Sequence, residues 1–251
     1  MIQSVDRAIR ILKALSTGPG RLGVSELSER LGLAKGTVHG LLRTLQSEGF
    51  VEQDAESGKY QLGASLLQLA SSYLDVNELR ARSLVWSDAL ASRTGEAVRV
   101  GTLHGGGVLI VHHVFRPDNS LQILEVGAHL PLHATALGKA LLAHHEPVAE
   151  ALLAAGMPRL TKATIVAPAA LSRALRGVRE NGWAAEREEA IIGEASIAAA
   201  IFDRAGEAAG AIGIAGAVER IYGGRAPRAQ LVAEVRDAAR AVTRELGGPR
   251  R

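Results

Sequence analysis

A short run of cationic and hydrogen-bonding side chains stands at the start of the third predicted helix. Lys35, Thr37, His39 and Arg43 carry donors that suit phosphate oxygens and the edges of bases. Residues 34–47 include no acidic side chain, so the local charge is positive. These residue types predict contact with a nucleic acid if the surrounding elements present them to a groove. The candidate contact residues are Ser25, Lys35, Gly36, Thr37, His39, Arg43, Thr44 and Lys59.

Three helices would position these residues. Apolar side chains at spacings of three and four predict the helices, and in the first helix the inward face would carry Val5, Ile9, Leu12 and Leu15. Ser25 can cap the second helix, and Gly32 can end it in a left-handed conformation. After two further residues the third helix begins and spans 35–47, which is helix-turn-helix spacing.

A β-hairpin over 50–62 follows, so residues 1–63 are predicted to form a winged helix. Gly36 and Gly40 lie four residues apart on the polar face of the third helix, although glycine costs roughly 1 kcal/mol relative to alanine there. They would leave a strip that lets the helix approach DNA closely. Lys59 on the hairpin is a candidate phosphate contact. The alternative is a plain three-helix bundle with an ordinary solvated face.

A cluster of histidines raises a second class of function, because seven of the eight lie within 104–145. His112 and His113 would point to opposite faces of a strand, although His104, His112 and His133 could still assemble a metal site. His104 also opens a His-Gly-Gly-Gly turn that is similar to an esterase oxyanion loop. The Gly-x-Ser-x-Gly nucleophile elbow that this chemistry needs is absent. We therefore expect no metal, no cofactor and no enzymatic activity, with a metal-dependent hydrolase fused to a DNA-binding module as the alternative.

A predicted helix start after Pro131 offers a different kind of binding feature. Thr135 can cap this helix, and small residues follow it. The free backbone N–H groups of such a helix start can bind an anion. An ordinary junction between a loop and a helix would have the same sequence.

The second part of the chain is predicted to be α+β. Residues 64–76 read as a linker helix, and residues 77–251 are long enough for a core of their own. Apolar runs predict strands at 98–103, 108–115, 121–126, 195–202 and 208–215. Helical periodicity predicts helices at 78–93, 169–179 and 227–246.

Charge is unevenly distributed along the chain. Its net value is +1 over residues 1–63, −3 over 64–219 and +5 over 220–251, where eight arginines accompany three acids. The absence of cysteine excludes a disulfide scaffold and a thiolate nucleophile. The longest apolar run, 208–218, is shorter than the roughly 20 residues that cross a bilayer. We expect a soluble cytoplasmic protein that has no membrane partner.

Several spaced blocks resemble the IclR family of bacterial transcriptional regulators. Its DNA-binding half is matched by residues 3–8, 31–39 and 58–63, and its effector half by 130–143, 182–193 and 198–203. Within the family, the most similar group is the glycerol operon repressors of actinomycetes, which the chain resembles over 46–53, 73–76, 78–82 and 111–118.

The resemblance implies a homodimer or a dimer of dimers that binds double-stranded, palindromic operator DNA. It also implies that the C-terminal half is a GAF-like effector-binding domain with a central antiparallel sheet, in which a small metabolite changes the affinity for DNA. The pocket positions carried over from the family are Ala136, Leu137, Glu186, Ser196, Gly213 and Ala215.

The sequence departs from some family members at Gly213 and Ala215, which lack the hydroxyl groups that hold small keto acids. The space left suits a ligand held by backbone groups or by Arg116, His133 and Thr135. Glycerol 3-phosphate fits the nearer resemblance, with its phosphate at the helix start. The resemblance therefore implies a repressor of a catabolic operon of the glycerol type, and an activator or a regulator with another effector is the alternative.

Overall fold

The chain divides into two units, residues 1–76 and 77–251, and each has its own hydrophobic core. The computed structural model describes residues 2–17, 20–75, 77–118 and 120–249. The last residue of the predicted linker helix, Val76, lies outside the described residues.

The first unit is a winged helix, as predicted. Its elements are α1 (Gln3–Ser16), α2 (Val24–Leu31), α3 (Lys35–Ser47), β1 (Val51–Gln53), β2 (Tyr60–Leu62) and α4 (Ser65–Asp75). The first three helices enclose a core in which Ile11, Leu27 and Leu42 are fully buried. β1 and β2 pair in antiparallel register, with Val51 opposite Leu62.

Helix α2 has the predicted geometry at one of its two ends only. Gly32 ends α2 with φ 65°, in the left-handed region that glycine tolerates. The predicted cap by Ser25 is wrong, because the N-cap is Gly23 and Ser25 lies inside the first turn. The Gly23 N–H donates to Oε2 of Glu26 at 2.6 Å, so a carboxylate from inside the helix satisfies the group at its start.

The expected inward face of α1 is also wrong in part. Val5 is 53% exposed and Ile9 is 47% exposed, whereas Ile11, Ala14 and Leu15 are buried. The apolar side chains of α1 therefore cover a wider arc than the one that faces the core.

The second unit is built on a six-stranded sheet in which every neighbouring pair is antiparallel. The strands are β3 (Ala97–His104), β4 (Gly107–Val114), β5 (His129–Leu130), β6 (Ala184–Arg187), β7 (Glu194–Phe202) and β8 (Ala208–Ala217). Their order across the sheet is β5-β4-β3-β8-β7-β6.

Helices cover both faces of this sheet, which confirms the predicted α+β class with a central antiparallel sheet. The helices are α5 (Glu78–Thr94), α6 (Ala136–Leu142), α7 (Glu146–Ala155), α8 (Pro168–Asn181), α9 (Val218–Ile221) and α10 (Ala229–Glu245). α5 and α10 pack on one face, and α6, α7 and α8 pack on the other. β7 and β8 are apolar on both sides because they lie between these two layers.

The predicted strand at 121–126 is wrong. These residues form an irregular segment in which Leu121 is fully exposed and Ile123 is 81% exposed. The side chain of Gln122 accepts a hydrogen bond from Arg116 N at 2.7 Å and donates to Arg116 O at 3.0 Å. A side chain thus occupies the backbone groups that a partner strand would need.

Helices α7 and α9 and strands β5 and β6 were not predicted from the sequence. No described helix is both long and apolar enough to cross a membrane.

Candidate functional sites

The polar face of α3 is open to solvent in the first unit. Lys35, His39 and Arg43 are exposed, and Thr37 is half-buried. No hydrogen bond or ion pair engages the side chains of these four residues within the described part of the chain. Their donors are therefore available to another molecule.

The two glycines of α3 lie on this open face. A Cβ atom added at Gly36 or Gly40 would meet nothing within 4 Å. Packing in the core of the unit therefore does not require glycine at either position, although glycine makes a helix less stable than alanine does. Thr44 differs from the other candidates, since its Oγ1 donates to Gly40 O at 3.2 Å.

The hairpin residues have partners of their own. Nζ of Lys59 lies 3.1 Å from Oε1 of Glu26 on α2, and Ser57 Oγ donates to Oδ1 of Asp54 at 2.6 Å. The structure therefore places the predicted phosphate contact Lys59 in an exposed ion pair, which a phosphate would have to replace. Ser25 is exposed in the first turn of α2.

A small cavity of about 170 Å³ lies in the second unit, between the start of α6 and the strands β3, β6, β7 and β8. We call it the Glu186 cavity. It brings together seven of the nine residues predicted for ligand binding, although they are spread over 81 positions of the chain. These are Thr135, Ala136, Leu137, Glu186, Ser196, Gly213 and Ala215.

Hydrogen bonds link the polar groups of this cavity into a chain. Ser196 Oγ donates to Glu186 Oε1 at 2.9 Å and accepts from Ala136 N at 3.4 Å. Thr135 caps α6 as predicted, because its Oγ1 accepts from Gly138 N at 3.1 Å. None of the described residues accepts from the N–H of Leu137. One backbone donor at the helix start therefore remains for a ligand.

Burial makes the carboxyl group of Glu186 a weaker acid than usual. Removal from solvent raises the pKa of this carboxyl to about 7, although the Glu189 N–H and the Ser196 hydroxyl donate to it and act in the opposite direction. The group therefore changes its charge near neutral pH. It can accept a hydrogen bond from a ligand when ionised and donate one when protonated.

A buried ion pair supports the wall of the Glu186 cavity. Nζ of Lys139 on α6 lies 2.6 Å from Oε1 of Glu189, and both side chains are at least nine-tenths buried. Burial raises the pKa of Glu189, while Lys139 lowers it. The pair joins α6 to the segment that follows β6, and both elements contribute to the cavity.

Sequence reasoning missed the charged residues at the other wall. Arg99 on β3 donates from Nη1 to Glu194 Oε1 at 2.9 Å and from Nη2 to Glu125 Oε1 at 2.7 Å. Burial lowers the pKa of Arg99, but the two carboxylates outweigh it and raise the pKa overall. The signal that could have identified it is a single arginine within the apolar strand 98–103. With Glu186, the lining holds one arginine and three carboxyl groups.

Two predicted ligand residues lie outside the Glu186 cavity. Arg116 pairs with Asp118 and borders an adjoining surface cleft, which shares Arg99, Glu125 and Glu194 with the cavity. His133 is 2% exposed, and its Nε2 lies 2.9 Å from Pro158 O, so it is a satisfied buried histidine. The burial of His133 gives no support to its predicted ligand contact, whereas the predicted contact of Arg116 stays a prediction.

The idea that Gly213 leaves space for a ligand is wrong. A Cβ atom at this position would lie 2.4 Å from Ile197 O and 2.8 Å from the Cβ of Ala198. The neighbouring strand β7 occupies the space, so Gly213 can offer only its backbone to the cavity.

The histidine cluster is dispersed in the structure. Burial lowers the pKa of His112 and of His113. His145 Nε2 lies 2.8 Å from Ala208 O. Among the residues that the structure describes, no three histidine, aspartate or glutamate side chains are grouped so that they could hold a metal ion.

A winged helix with an open cationic helix, followed by an α+β unit with a small polar cavity, is the architecture of a DNA-binding regulator with a ligand-binding domain. A model of the IclR helix-turn-helix domain matches residues 4–55, and a model of the C-terminal region of bacterial transcriptional regulator IclR matches residues 71–244. The chain therefore belongs to the IclR family of bacterial transcriptional regulators.

Individual relatives match nearly the whole chain. It is 56% identical over 250 residues to a glycerol operon regulatory protein of Streptomyces coelicolor, and 54% identical to one of Streptomyces griseus, with 99% of this chain and 98% of each relative covered. A crystal structure of an IclR transcriptional regulator from Alicyclobacillus acidocaldarius superposes with a TM-score of 0.84 at 27% identity, covering 97% of this chain and 98% of that one.

Titration of Glu186 predicts a specific pH dependence of stability. Its pKa is raised from 4.5 to about 7 in the folded chain, so the folded state binds more protons than the unfolded state between these values. The free energy of unfolding should therefore fall as the pH rises from about 4.5 to 7, by on the order of 3 kcal/mol for this group. Denaturant titrations at pH 5, 6, 7 and 8 should show this slope in the wild type and a flatter one in Glu186→Gln. Equal slopes in the two proteins would contradict the assignment.

Proposed function

We propose that this protein is a repressor of an operon for glycerol catabolism and that a small metabolite of that pathway controls its affinity for DNA. The observation that carries the proposal is the open cationic face of α3 in the same chain as the Glu186 cavity. The names of the two Streptomyces relatives support the choice of operon.

The geometry of α3 supports operator recognition through the major groove. In a helix-turn-helix motif, the N-terminal residues of the second helix contact base edges. Lys35 and His39 occupy this end of α3, and Arg43 follows one turn later. No side chain caps the helix start at Ala34, so its free N–H groups also suit a phosphate. The glycines let the helix axis come close to the bases.

We also propose that the chain acts as a homodimer or as a dimer of dimers on a palindromic site. Dimers of helix-turn-helix proteins place two recognition helices about one turn of DNA apart, which matches a palindrome of that spacing. Membership of the IclR family supports this proposal. Whether the bound protein represses or activates transcription depends on where the operator lies relative to the promoter.

The proposed effector is a small hydroxylated metabolite, with glycerol 3-phosphate as the first candidate. The carboxyl groups of Glu125, Glu186 and Glu194 can accept hydrogen bonds from hydroxyl groups. A phosphate would have to lie at the start of α6, where no described residue accepts from the Leu137 N–H, because a second anion beside these carboxylates is repelled. Glycerol itself avoids this repulsion and is the second candidate.

We further propose that the second unit is a sensor and does not catalyse a reaction. The relatives that match the chain are transcriptional regulators, which favours this assignment over a metal-dependent hydrolase. Stoichiometric zinc, manganese or iron in the purified protein would contradict it.

Replacement of Arg43 tests the proposed DNA contact. If Arg43 binds a guanine edge, Arg43→Ala should weaken operator binding by about 1–3 kcal/mol and leave non-specific binding nearly unchanged. Footprinting upstream of the gene and its neighbours would first locate the operator, and a mobility-shift titration would then give the affinities. Arg173→Ala, which removes an exposed arginine of the second unit, is the matched control. An equal loss on every DNA sequence would make Arg43 a phosphate contact instead.

Ligand-induced stabilisation tests the effector. At 100 times its Kd, a ligand that binds only the folded state stabilises it by about 2.7 kcal/mol, which a thermal-shift series detects. We expect glycerol 3-phosphate to raise the melting temperature of the wild type and to do so less in Ser196→Ala, while pyruvate has no effect. Stabilisation by glycerol alone would transfer the role to the neutral polyol. A lack of response to both compounds would overturn the choice of effector without affecting the DNA-binding proposal.

A further inference from the structure

The arginine-rich last helix borders a groove that lies at the edge of the sheet, apart from the Glu186 cavity. β6 pairs with β7 only as far as Ala198, so no described strand pairs with β7 on that edge from Ala199 to Phe202. The end of α8 and one face of α10 wall the opening, whose volume is about 600 Å³. We call it the β7-edge groove, and its lining comes mainly from residues 178–182 and from parts of 199–202 and 236–244.

The walls of the β7-edge groove are strongly cationic. Arg179 on α8 and three arginines of α10 line it, whereas Glu180 is the one carboxylate among the described lining residues. Arg236, Arg240 and Arg244 occupy every fourth position of α10, so they follow one another on one helix face about 6 Å apart. Like charges at this spacing repel each other, and an anion between them would reverse the sign of that interaction.

Two of these arginines have no described partner. Arg240 pairs with Asp237 at 2.8 Å, and Arg179 donates to Ala143 O at 3.1 Å. Within the described residues, no hydrogen bond or ion pair engages the side chain of Arg236 or Arg244. Arg236 is nevertheless half-buried. Its guanidinium group thus lies in the groove without a partner anion among the described residues.

The uncovered edge of β7 adds neutral hydrogen-bonding groups. The backbone N–H and C=O groups of the even-numbered residues of β7 point towards the β6 edge. Glu194 O accepts from Glu188 N at 2.8 Å on this edge, and the direction of the backbone groups alternates along a strand. Phe202 N–H, on the same edge, donates to Thr243 Oγ1 at 3.1 Å. The N–H and C=O groups of Ala200 therefore point into the β7-edge groove, where β6 no longer reaches them.

We propose that the β7-edge groove binds a small organic polyanion, a compact molecule with at least two phosphate or carboxylate groups. Guanidinium groups match both oxyanions with paired hydrogen bonds. Val178, Ala199 and Ala239 give the groove an apolar floor for the carbon body of such a molecule. The volume lies within the usual range for small-molecule sites. The groove shares no lining residue with the Glu186 cavity, so the proposal does not depend on the identity of the effector.

Calorimetric titration of the full chain with pyrophosphate and with citrate, at one pH and one ionic strength, tests this site. The groove variant is Arg236→Ala/Arg244→Ala. The matched control is Arg173→Ala/Arg176→Ala, which removes two exposed arginines of α8 outside the groove. We expect at least one polyanion to bind the wild type and the control equally well and the groove variant at least tenfold more weakly. Acetate at the same ionic strength should not bind.

Two results would overturn the proposal. One is equal weakening in both double variants, which would show a general attraction to positive surface, and the other is a wild type that binds neither polyanion. If circular dichroism shows that the groove variant does not fold, Arg236→Lys/Arg244→Lys replaces it. That variant keeps the charge but loses the forked donors, so its Kd should rise at least threefold, and an unchanged Kd would count against the site.

Discussion

The architecture of the Glu186 cavity depends on the buried ion pair between Lys139 and Glu189. Burying either charge alone would be strongly unfavourable, so the two side chains hold their elements together in one arrangement. Glu189 also donates its backbone N–H to Glu186 Oε2 at 3.0 Å, and Glu186 in turn accepts from Ser196. The position of the titrating carboxyl is therefore set by an ion pair that lies behind the cavity wall.

Close packing of the backbone complements this electrostatic constraint. A Cβ atom at Gly138 would lie 2.2 Å from Leu132 O, so the start of α6 must fold tightly onto the segment before it. A Cβ atom at Gly213 would lie 2.4 Å from Ile197 O of β7. Backbone contacts therefore position both walls and limit how far they can move apart. A ligand of a few carbon atoms is the size that such walls accept.

The sequence could predict two kinds of site residue. Some lie close together in the chain, and others occupy positions that the family resemblance carries over. The open residues of α3 fall within ten positions, so helical periodicity was enough to place them on one face. Arg99 could not be connected with Glu125 and Glu194 in this way, because these partners are 26 and 95 residues away and meet only when the sheet forms. The strand expected at 121–126 failed for a related reason, since alternating apolar residues describe a strand only where a neighbouring strand is free to pair. Gly213 shows the converse limit, because the absence of a side chain in the sequence does not reveal whether another backbone fills its place.

The distribution of charge now has a structural meaning for recognition of ligands. The acidic middle of the chain places three carboxyl groups around the Glu186 cavity, while the basic end places arginines around the β7-edge groove. A polyanion and a polyol are thus favoured at different places in one unit. Within the Glu186 cavity, a ligand hydroxyl that donates to Glu186 stabilises its charged form, whereas a phosphate oxygen that accepts from it stabilises the protonated form. Because the pKa of this group is about 7, the first kind of ligand releases a proton on binding near neutral pH and the second takes one up.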